Sequence, residues 1–308
     1  MNKQLALIAL TALIAGAVIL STQTSKDTAF DEWKAKYGAN WAQGEEEYRR
    51  IIFQRNVDAI NKHNADSTQT YKMGINQFTA MTDAEFFNTY LDPKPEVKDA
   101  VDDAMSGANA DIDWTTKGGV SPVKNQGQCG SCWAFSATGV AESWAKIRGQ
   151  TVSLSEQQLV DCSGSFGNHG CNGGWPSQAL NYVKANGIAS ESEYPYAGVN
   201  QACKKNGGSF KISSVVSASG CTGIENSLSA RPISVTVDAT NWSKYSSGVF
   251  NNCATSINHA VLLVGVSGSY WKIKNSWGTG WGEQGFIRIA LGNTCGVCAY
   301  AGVYPNWS

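Results

Sequence analysis

The distribution of the cysteines constrains the fold of this chain more than any other feature. All nine lie between residues 110 and 308, and residues 1–109 contain none. In an oxidised chain, an odd number leaves at least one thiol unpaired or bonded to another molecule. The C-terminal part is therefore expected to be cross-linked by disulfides, whereas the N-terminal part must be held together without them.

Charge divides the chain at the same point. Residues 1–109 carry eleven Lys and Arg against fifteen Asp and Glu, and residues 110–308 carry thirteen against ten. The opposite signs, −4 and +3, indicate two parts with different roles that can face each other. The whole chain has a net charge of −1 and 42% hydrophobic residues. This composition supports a core and excludes a strongly basic nucleic-acid-binding protein, so no nucleic-acid partner is expected.

The first 21 residues have the features of a signal peptide. Lys3 precedes an apolar run from Leu5 to Leu20. As a helix this run would be about 24 Å long, which is shorter than the ~30 Å hydrocarbon core of a membrane. We predict a signal peptide over residues 1–21, with Ala15-Gly16-Ala17 as the best cleavage sequence and a signal anchor as the alternative. The rest of the chain would then enter the secretory pathway and reach a lysosome, an acidic vacuole or the extracellular space, without stable membrane insertion.

Residues 22–109 are predicted to form a mainly helical, acidic segment. Phe30, Trp33 and Tyr37 fall on one face of a helix. A second stripe has spacings of three to four residues throughout and comprises Glu45, Arg49, Ile52, Phe53, Asn56, Ile60 and Asn64. An ordinary amphipathic helix explains the apolar members, but it does not explain an acid, a base and two asparagines on the same face. The Asp92-Pro93-Lys94-Pro95 segment and the polar stretch 96–110 are typical of an exposed linker that proteases cut.

Residues 126–136, Gln-Gly-Gln-Cys-Gly-Ser-Cys-Trp-Ala-Phe-Ser, form the most informative segment. The glycines and small polar residues stop at Trp133, where a helical pattern begins. Cys132 would therefore lie at a helix N-terminus, where backbone N–H groups and the macrodipole stabilise a thiolate. Cys129 and Cys132 could instead form a redox couple or half of a zinc site. No second Cys/His pair lies at zinc-finger spacing and no βαβ pattern surrounds the pair, which favours a nucleophilic cysteine.

A thiolate nucleophile needs a base, and the chain has three histidines. We interpret His63 and His169 as surface residues because their surroundings are polar. His259 opens a buried apolar strand, and a short turn leads into a second strand over residues 270–274. Asn275 follows that second strand and can return beside His259, since the two strands form a hairpin. A lone buried histidine is more often a core residue, but an asparagine placed to orient it favours a catalytic role.

Four segments of the chain resemble the papain-like cysteine peptidases, namely residues 126–136, 171–174, 258–261 and 275–278. His259 lies 127 residues after Cys132, and Asn275 lies 143 residues after it. The stripe over residues 45–64 resembles the E-R-F-N-I-N motif of the family's prosegments, and residues 74–78 resemble the G-N-F-D motif that follows it. The long prosegment points to the cathepsin-L-like branch.

The resemblance implies an α+β fold with a papain-like arrangement of two subdomains, one helical and one β-barrel-like, with the active-site cleft between them. It implies a mainly helical inhibitory prosegment over residues 22–109 and a peptidase domain over residues 110–308. The implied function is a cysteine endopeptidase made as a zymogen. Its partners would be protein and peptide substrates and its own prosegment, and it would act as a monomer without cofactor or metal. A catalytically inactive, disulfide-rich binding homologue is the alternative.

The resemblance also implies a role for each residue of the site. Cys132 would attack the peptide carbonyl and form a thioester, with His259 as its proton partner. Asn275 would orient the imidazole, and Trp277 would cover that contact from water. Gln126 would donate its side-chain N–H to the oxyanion beside the backbone N–H of Cys132.

Substrate binding is expected along the cleft. Gly173 and Gly174 leave the backbone bare, so that an extended peptide can pair with it. By the resemblance, the cleft and its main pocket, for the residue two before the cut, would be lined by Trp175, Pro176, Thr236, Ile257, Asn258, Ala260, Trp277 and Ala301. The pocket is uncharged, which predicts hydrophobic or aromatic side chains there.

Disulfide pairing is implied by family position. The expected bridges are Cys129–Cys171, Cys162–Cys203 and Cys253–Cys295, with Cys132 left free. Cys221 and Cys298 lie outside the usual set. They could form a fourth bridge, or Cys298 could take the place of Cys295 as the partner of Cys253.

The sequence departs from the family pattern at several positions. Ala80 stands where the prosegment motif usually has Asp, so acid-triggered release of the prosegment is expected to work differently. Asn258 replaces the Asp that often precedes the histidine. Asn109 stands where a proline commonly guards the mature N-terminus, which places the activating cut near residues 106–111. Asn241 and Asn306 begin sequons for N-glycosylation.

Overall fold

The computed structural model describes residues 27–92, 111–254 and 256–306. The predicted signal peptide and all of the predicted linker after Asp92 lie outside the described residues. Among the described residues, no helix combines the length and the apolar character that crossing a membrane requires.

The N-terminal part is helical, as its periodicity predicts. Helix α1 covers residues 27–37, α2 covers Gln43–Ala65 and α3 covers Asp83–Tyr90, with a short strand β1, Tyr71–Met73, between the second and third. The aromatic face of α1 packs on α2 in a small core built around Phe30, Trp33, Phe53 and Ala80. A capping box between Thr82 and Glu85 begins α3.

The polar members of the α2 stripe anchor the chain that follows the helix. The Asn56 side chain donates to the carbonyls of Thr79 and Met81 at 2.8 and 2.9 Å. Asn64 exchanges two hydrogen bonds with the backbone of Met73. These amides satisfy backbone groups that have no partner in a strand or helix, which explains why asparagines share a face with buried Ile and Phe.

The C-terminal part begins with a helical subdomain. Its helices are α4, Cys132–Ile147, α5, Glu156–Cys162, and α6, Pro176–Asn186. Helix α4 is apolar on nearly every face because it lies between the other helices and the sheet, and its residues from Cys132 to Ala145 are buried.

A nine-stranded sheet forms the second subdomain. The strands of the C-terminal part are β2 Ile112–Asp113, β3 Ser214–Ala218, β4 Ile233–Val237, β5 Tyr245–Phe250, β6 His259–Ser267, β7 Tyr270–Lys274, β8 Phe286–Ala290 and β9 Gly302–Asn306. Helix α7, Gly220–Leu228, follows β3. The order of the strands in the sheet is β1-β5-β8-β7-β6-β4-β9-β3, and β2 pairs with β6. The β5–β8 pair is parallel, and the other strand pairs are antiparallel.

Strand β6 lies between two hydrophobic cores. Val261 and Leu263 point into the core of the sheet, whereas Leu262 and Val264 point into the core of the helical subdomain. Burial on both faces explains the continuous apolar run after His259. The expected α+β fold with two subdomains is thus confirmed.

The N-terminal part also contributes an edge strand to this sheet. Strand β1 pairs antiparallel with β5, with Tyr71 opposite Gly248 and Lys72 opposite Ser247. The N-terminal part is therefore attached to the C-terminal part partly by main-chain pairing, which depends little on side-chain identity.

Four disulfides cross-link the C-terminal part: Cys129–Cys171, Cys162–Cys203, Cys221–Cys298 and Cys253–Cys295. The three pairs implied by family position, Cys129–Cys171, Cys162–Cys203 and Cys253–Cys295, are all present. Cys298 pairs with Cys221 as the fourth bridge and does not replace Cys295. Cys132 remains a free, buried thiol.

Candidate active site

Cys132 is the first residue of α4 and is 1% exposed. The turn before it is tied to a neighbouring loop by the Cys129–Cys171 disulfide and by a hydrogen bond from Gly130 N to the Cys171 carbonyl, 3.0 Å. A Cβ atom at Gly130 would lie 2.5 Å from that carbonyl oxygen, so only glycine allows this close approach. The cysteine is thus held at the helix N-terminus, as its sequence context predicts.

His259 and Asn275 meet through the β6–β7 hairpin. The Nε2–H of His259 donates to Asn275 Oδ1 at 2.8 Å. The indole of Trp277 stacks on the imidazole, with 4.8 Å between ring centroids, and covers the pair. This bond fixes the tautomer, because Nε2 carries the proton and leaves Nδ1 as the remaining nitrogen. His259 Nδ1 has no hydrogen-bond partner among the described residues, and His259 lines the same cavity as Cys132.

Gln126 is oriented by its carbonyl oxygen. Its Oε1 accepts from Ser276 Oγ at 2.7 Å and from Trp277 Nε1 at 3.1 Å. The amide nitrogen is therefore turned the other way and donates to the carbonyls of Cys129 and Tyr90, at 2.9 and 3.2 Å. A chain segment that crosses the site thus already places a carbonyl against the donor that was predicted for the oxyanion.

The cavity beside Cys132 contains most of the predicted binding residues. Its walls are formed by Gly174, Trp175, Thr236, Ile257, Asn258, His259 and Ala260, together with Asp92. Pro176 starts α6 and lies outside these walls. Ala301 is exposed and also lies outside them, whereas its neighbour Tyr300 packs against Trp175 with 5.6 Å between ring centroids.

Asp92 bridges the two sides of the cleft. Its backbone N–H donates to the Asn258 carbonyl at 2.7 Å, and its carboxylate accepts from Gly174 N at 3.1 Å. Gly173 lies against the same carboxylate. The backbone groups predicted to bind an extended peptide are thus occupied by the prosegment. The sequence pattern places Asp92 at the start of an exposed linker, and this is wrong for Asp92, which lies across the cleft and bonds to both of its sides. No local pattern indicates the roles of Tyr90 and Asp92, since these depend on where the chain runs.

Further contacts hold the prosegment on the peptidase. Gln77 Nε2 donates to the Trp277 carbonyl at 2.7 Å, and Asn76 Nδ2 donates to the Ser243 carbonyl at 2.7 Å. Gln77 and Asn76 belong to the segment that resembles the second prosegment motif. An exposed ion pair joins Asp83 to Lys244 at 2.7 Å.

The protonation of the site follows from its burial. Burial raises the pKa of the Cys132 thiol to about 12, and the nearby Asp92 carboxylate adds to the rise. Burial also lowers the pKa of His259 to about 4, and the hydrogen bond to Asn275 opposes this only in part. With the cleft covered, both groups are therefore neutral near pH 7.

Among the described residues, no group of three or more His, Cys, Asp and Glu side chains could hold a metal ion.

Two family models match the chain. The family described as papain family cysteine protease matches residues 108–305, and the cathepsin propeptide inhibitor domain matches residues 30–86. Together they cover both parts that the cysteine distribution separates.

Individual relatives agree with the family models. Cathepsin L 2 of Paramecium tetraurelia is 42% identical over 290 residues, which cover 89% of this chain and 91% of the relative. The solved structure of a recombinant stem bromelain precursor superposes with a TM-score of 0.83 at 38% identity, over 92% of this chain and 99% of that one. Digestive procathepsin L 3 of Tenebrio molitor gives a TM-score of 0.81 at 36% identity, over 91% and 99%.

Proposed function

This chain belongs to the papain family of cysteine proteases and is a cathepsin-L-like peptidase with an inhibitory propeptide, and on that premise we propose how it cleaves its substrates. In our proposal, Cys132 attacks the carbonyl carbon of a peptide bond once the prosegment has left the cleft. The observation that carries the proposal is the hydrogen bond from Gln126 to the Tyr90 carbonyl, because it shows a peptide carbonyl held at the donor that an oxyanion would need.

The first step forms an acyl-enzyme. In the open cleft the Cys132 sulfur transfers its proton to His259 Nδ1, the nitrogen that Asn275 leaves available. The thiolate adds to the carbonyl, and the negative charge on the oxygen is met by Gln126 Nε2–H and by the Cys132 N–H. The imidazolium then protonates the leaving amine, the C–N bond breaks and a thioester remains.

The second step hydrolyses the thioester. His259 Nδ1 takes a proton from water, and the resulting hydroxide adds to the thioester carbonyl. The C–S bond breaks, the acid product leaves, and the sulfur again shares a proton with His259. Trp277 keeps water away from the His259–Asn275 bond throughout both steps, so the imidazole keeps its orientation.

Specificity is proposed to come from the cavity beside Cys132. The apolar part of its described walls is formed by Trp175, Ile257 and Ala260. Among the described residues, the carboxylate in this cavity is that of Asp92, which belongs to the prosegment. After Asp92 leaves, an apolar side chain two residues before the cut would remove the most apolar surface from water. Gly173 and Gly174 would pair with the substrate backbone, as Gly174 now pairs with Asp92.

The prosegment is proposed to be released as carboxylates protonate in an acidic compartment of the secretory pathway or after secretion. Among the described residues, the prosegment carboxylates of Asp83 and Asp92 bind groups of the peptidase domain, Lys244 and the Gly174 N–H respectively. Ala80, which replaces the usual Asp of the prosegment motif, is buried in the small core of the prosegment and cannot titrate. The peptidase is proposed to act as a monomer, because its cleft is completed by one chain.

The experiment uses the full chain, incubated between pH 4 and 7 and then treated with a thiol-directed epoxide. We expect the epoxide to label Cys132 alone after acid treatment, and peptides with Phe or Leu two residues before the cut to be cleaved. Cys132→Ala serves as the control that neither labels nor cleaves. An acid-treated chain that labels at no cysteine would instead support an inactive binding homologue. A preference for Arg or Asp at that substrate position would contradict the pocket assignment.

A further inference from the structure

A cluster of buried charges lies behind the site, between the two subdomains, and has no part in the steps above. Lys124 Nζ contacts both Glu142 Oε1 and Glu156 Oε1 at 2.8 Å. Glu142 also binds Ser121, which in turn accepts from Lys274 Nζ at 3.0 Å. Lys274 is the residue immediately before Asn275, so the cluster reaches the residue that orients the catalytic imidazole.

A cavity lies inside this cluster. It is bounded by helix α4 on one side and by strands β6 and β7 on the other. Its charged and amide lining comes from Lys124, Glu142, Glu156, Lys274 and Asn275, and Ser136, Thr138 and Ser276 also border it. The space open to the centre of a water molecule is about 20 Å³. One ordered water needs roughly 10–15 Å³ measured in this way, so the cavity has room for one.

Two side-chain atoms of this lining have no hydrogen-bond partner among the described residues: Glu156 Oε2 and Asn275 Nδ2. The two residues are 1% and 3% exposed, so bulk water cannot satisfy them. Lys274 has three N–H donors, and Ser121 Oγ is their one hydrogen-bond acceptor in the described part of the chain. Buried polar atoms are nearly always paired, so an unpaired acceptor and an unpaired donor around one small cavity indicate a bound molecule.

The chemistry of the lining selects that molecule. A metal cation is disfavoured because two ammonium groups, Lys124 and Lys274, border the cavity. An anion is disfavoured by the carboxylates of Glu142 and Glu156. A water molecule suits both unpaired atoms, because it accepts from the Asn275 amide and either donates to the Glu156 carboxylate or accepts from the carboxyl.

We propose that this cavity holds one structural water that joins Glu156 to Asn275, and that Glu156 is thereby a positioning residue for the His259 imidazole. The Asn275 amide would then be fixed at both ends, because Oδ1 accepts from His259 Nε2 and from Ser276 N, and Nδ2 donates to the water. The orientation of the catalytic imidazole depends on that amide. This role rests on the proposed peptidase function, whereas the position of the water does not.

The first experiment is a high-resolution crystal structure of the full chain with Cys132→Ala, which prevents self-cleavage. We expect density for one water within about 2.7–3.2 Å of both Asn275 Nδ2 and Glu156 Oε2. A dry cavity, or a direct contact between the two side chains, would overturn the proposal whether or not the wild-type chain proves to be a peptidase.

The second experiment fills the cavity. Gly139 lines it from α4, and a Cβ atom there would make an ordinary 3.5 Å contact with Leu262. Gly139→Ala should improve helix propensity while displacing the water, so that the chain unfolds at the same or higher temperature but kcat falls about three- to tenfold. The control is Gly223→Ala in α7, where a Cβ atom would meet no atom closer than 3.8 Å. It should match the stabilising effect without lowering kcat.

A pH profile separates positioning from packing. Burial lowers the pKa of His259, and the hydrogen bond that its Nε2–H donates to Asn275 opposes this lowering. A loosened Asn275 should therefore move the alkaline limb of Cys132 alkylation by iodoacetamide to lower pH in the activated Gly139→Ala enzyme. Glu156→Gln still presents a polar group to the water, because its amide N–H can donate to the water oxygen, and it should keep kcat within about twofold. Glu156→Met presents no polar group and should behave like Gly139→Ala. Unchanged kcat and an unchanged profile in Gly139→Ala would refute the positioning role, and this variant decides even if Glu156→Met fails to fold.

Discussion

Gln126 shows how one side chain can serve both the inhibited and the active state. Its oxygen is held by Ser276 and Trp277, which aims its nitrogen at the cleft whether a prosegment or a substrate lies there. We expect Gln126→Ala to lower kcat of the activated enzyme by about 10²–10³-fold with little change in KM, since the donor matters most when the oxygen is charged. Steady-state kinetics would test this, with epoxide titration confirming equal amounts of active Cys132. A fall confined to KM would contradict an oxyanion role.

Thr236 is the one residue of the pocket wall whose hydroxyl is buried without a partner in the described structure. An apolar substrate side chain would cover this hydroxyl and cut it off from water, which opposes binding. We expect Thr236→Val, which keeps the shape, to raise kcat/KM about two- to tenfold for substrates with Leu two residues before the cut. Ser234→Ala is the matched control. Ser234 lies on the same face of β4, but its hydroxyl bonds to Ser136 away from the pocket, and equal effects of both changes would refute the prediction.

Secondary-structure elements are joined by contacts that differ in their sensitivity to acid. Arg49 on α2 binds Glu85 on α3 at 2.8 Å, and this hydrogen-bonded pair lowers the pKa of Glu85 to about 2. A carboxylate with a lowered pKa contributes stability that is present above its ordinary value, near 4.5, and lost as the pH falls towards 2. The α2–α3 contact should therefore survive at pH 4.5.

Hydrogen exchange can test that expectation on the full chain with Cys132→Ala. At pH 4.5 the amides of α2 should stay protected while those of residues 90–92 lose protection. Glu85→Gln removes the ionic bond and should lower the protection of the α2 amides already at neutral pH, where the pair contributes fully. The prediction would be contradicted if, in the chain with an unsubstituted prosegment, the amides throughout α2 exchange at pH 4.5 before those of residues 90–92.

The Cys221–Cys298 disulfide ties α7 to the loop before β9 across 77 residues of sequence. Both cysteines are fully buried in the core of the sheet. Replacing both by Ala should lower the free energy of unfolding by about 2–5 kcal/mol, because the unfolded chain regains the entropy of a long loop. Denaturant unfolding would measure this, and kcat should be retained in the folded fraction because the bridge lies away from the cleft. An unchanged midpoint would show that packing alone holds α7 in place.

In the whole molecule, inhibition results from one segment that crosses the cleft while the rest of the prosegment stays docked. Asp92 is the charged residue of that segment, and its carboxylate accepts from Gly174 N–H. Protonation would weaken this charge-assisted bond. We expect Asp92→Asn, which resembles the protonated form, to activate at higher pH and with a shallower pH dependence than the unsubstituted chain.

The appearance of cleaved product against pH measures this release. Asp83→Asn is the control, because its partner Lys244 forms an exposed ion pair, which usually contributes little. If both variants activate at an equally higher pH, release depends on the overall charge of the prosegment. If the activation pH of Asp92→Asn is unchanged, Asp92 has no part in release.

Much of this molecule was predictable from short-range patterns. Helical periodicity predicted α1 and α2, and the alternation around a tight turn predicted the hairpin that brings Asn275 to His259. The glycine-rich turn before Trp133 placed Cys132 at the start of α4. These predictions succeeded because each depends on residues within one or two elements, whose spacing is set by the geometry of helix and strand.

Other features depend on contacts between distant segments, which no local pattern records. The sequence alone indicated the papain-like family, a division of the chain into two parts and an unpaired thiol. Only the tertiary structure decided that Cys221 pairs with Cys298, that Tyr90 and Asp92 cross the cleft, and that burial there keeps the thiol and the imidazole neutral. The physical reason is that pairing, desolvation and the path of a chain depend on which surfaces meet, and those surfaces exist only after the elements have packed.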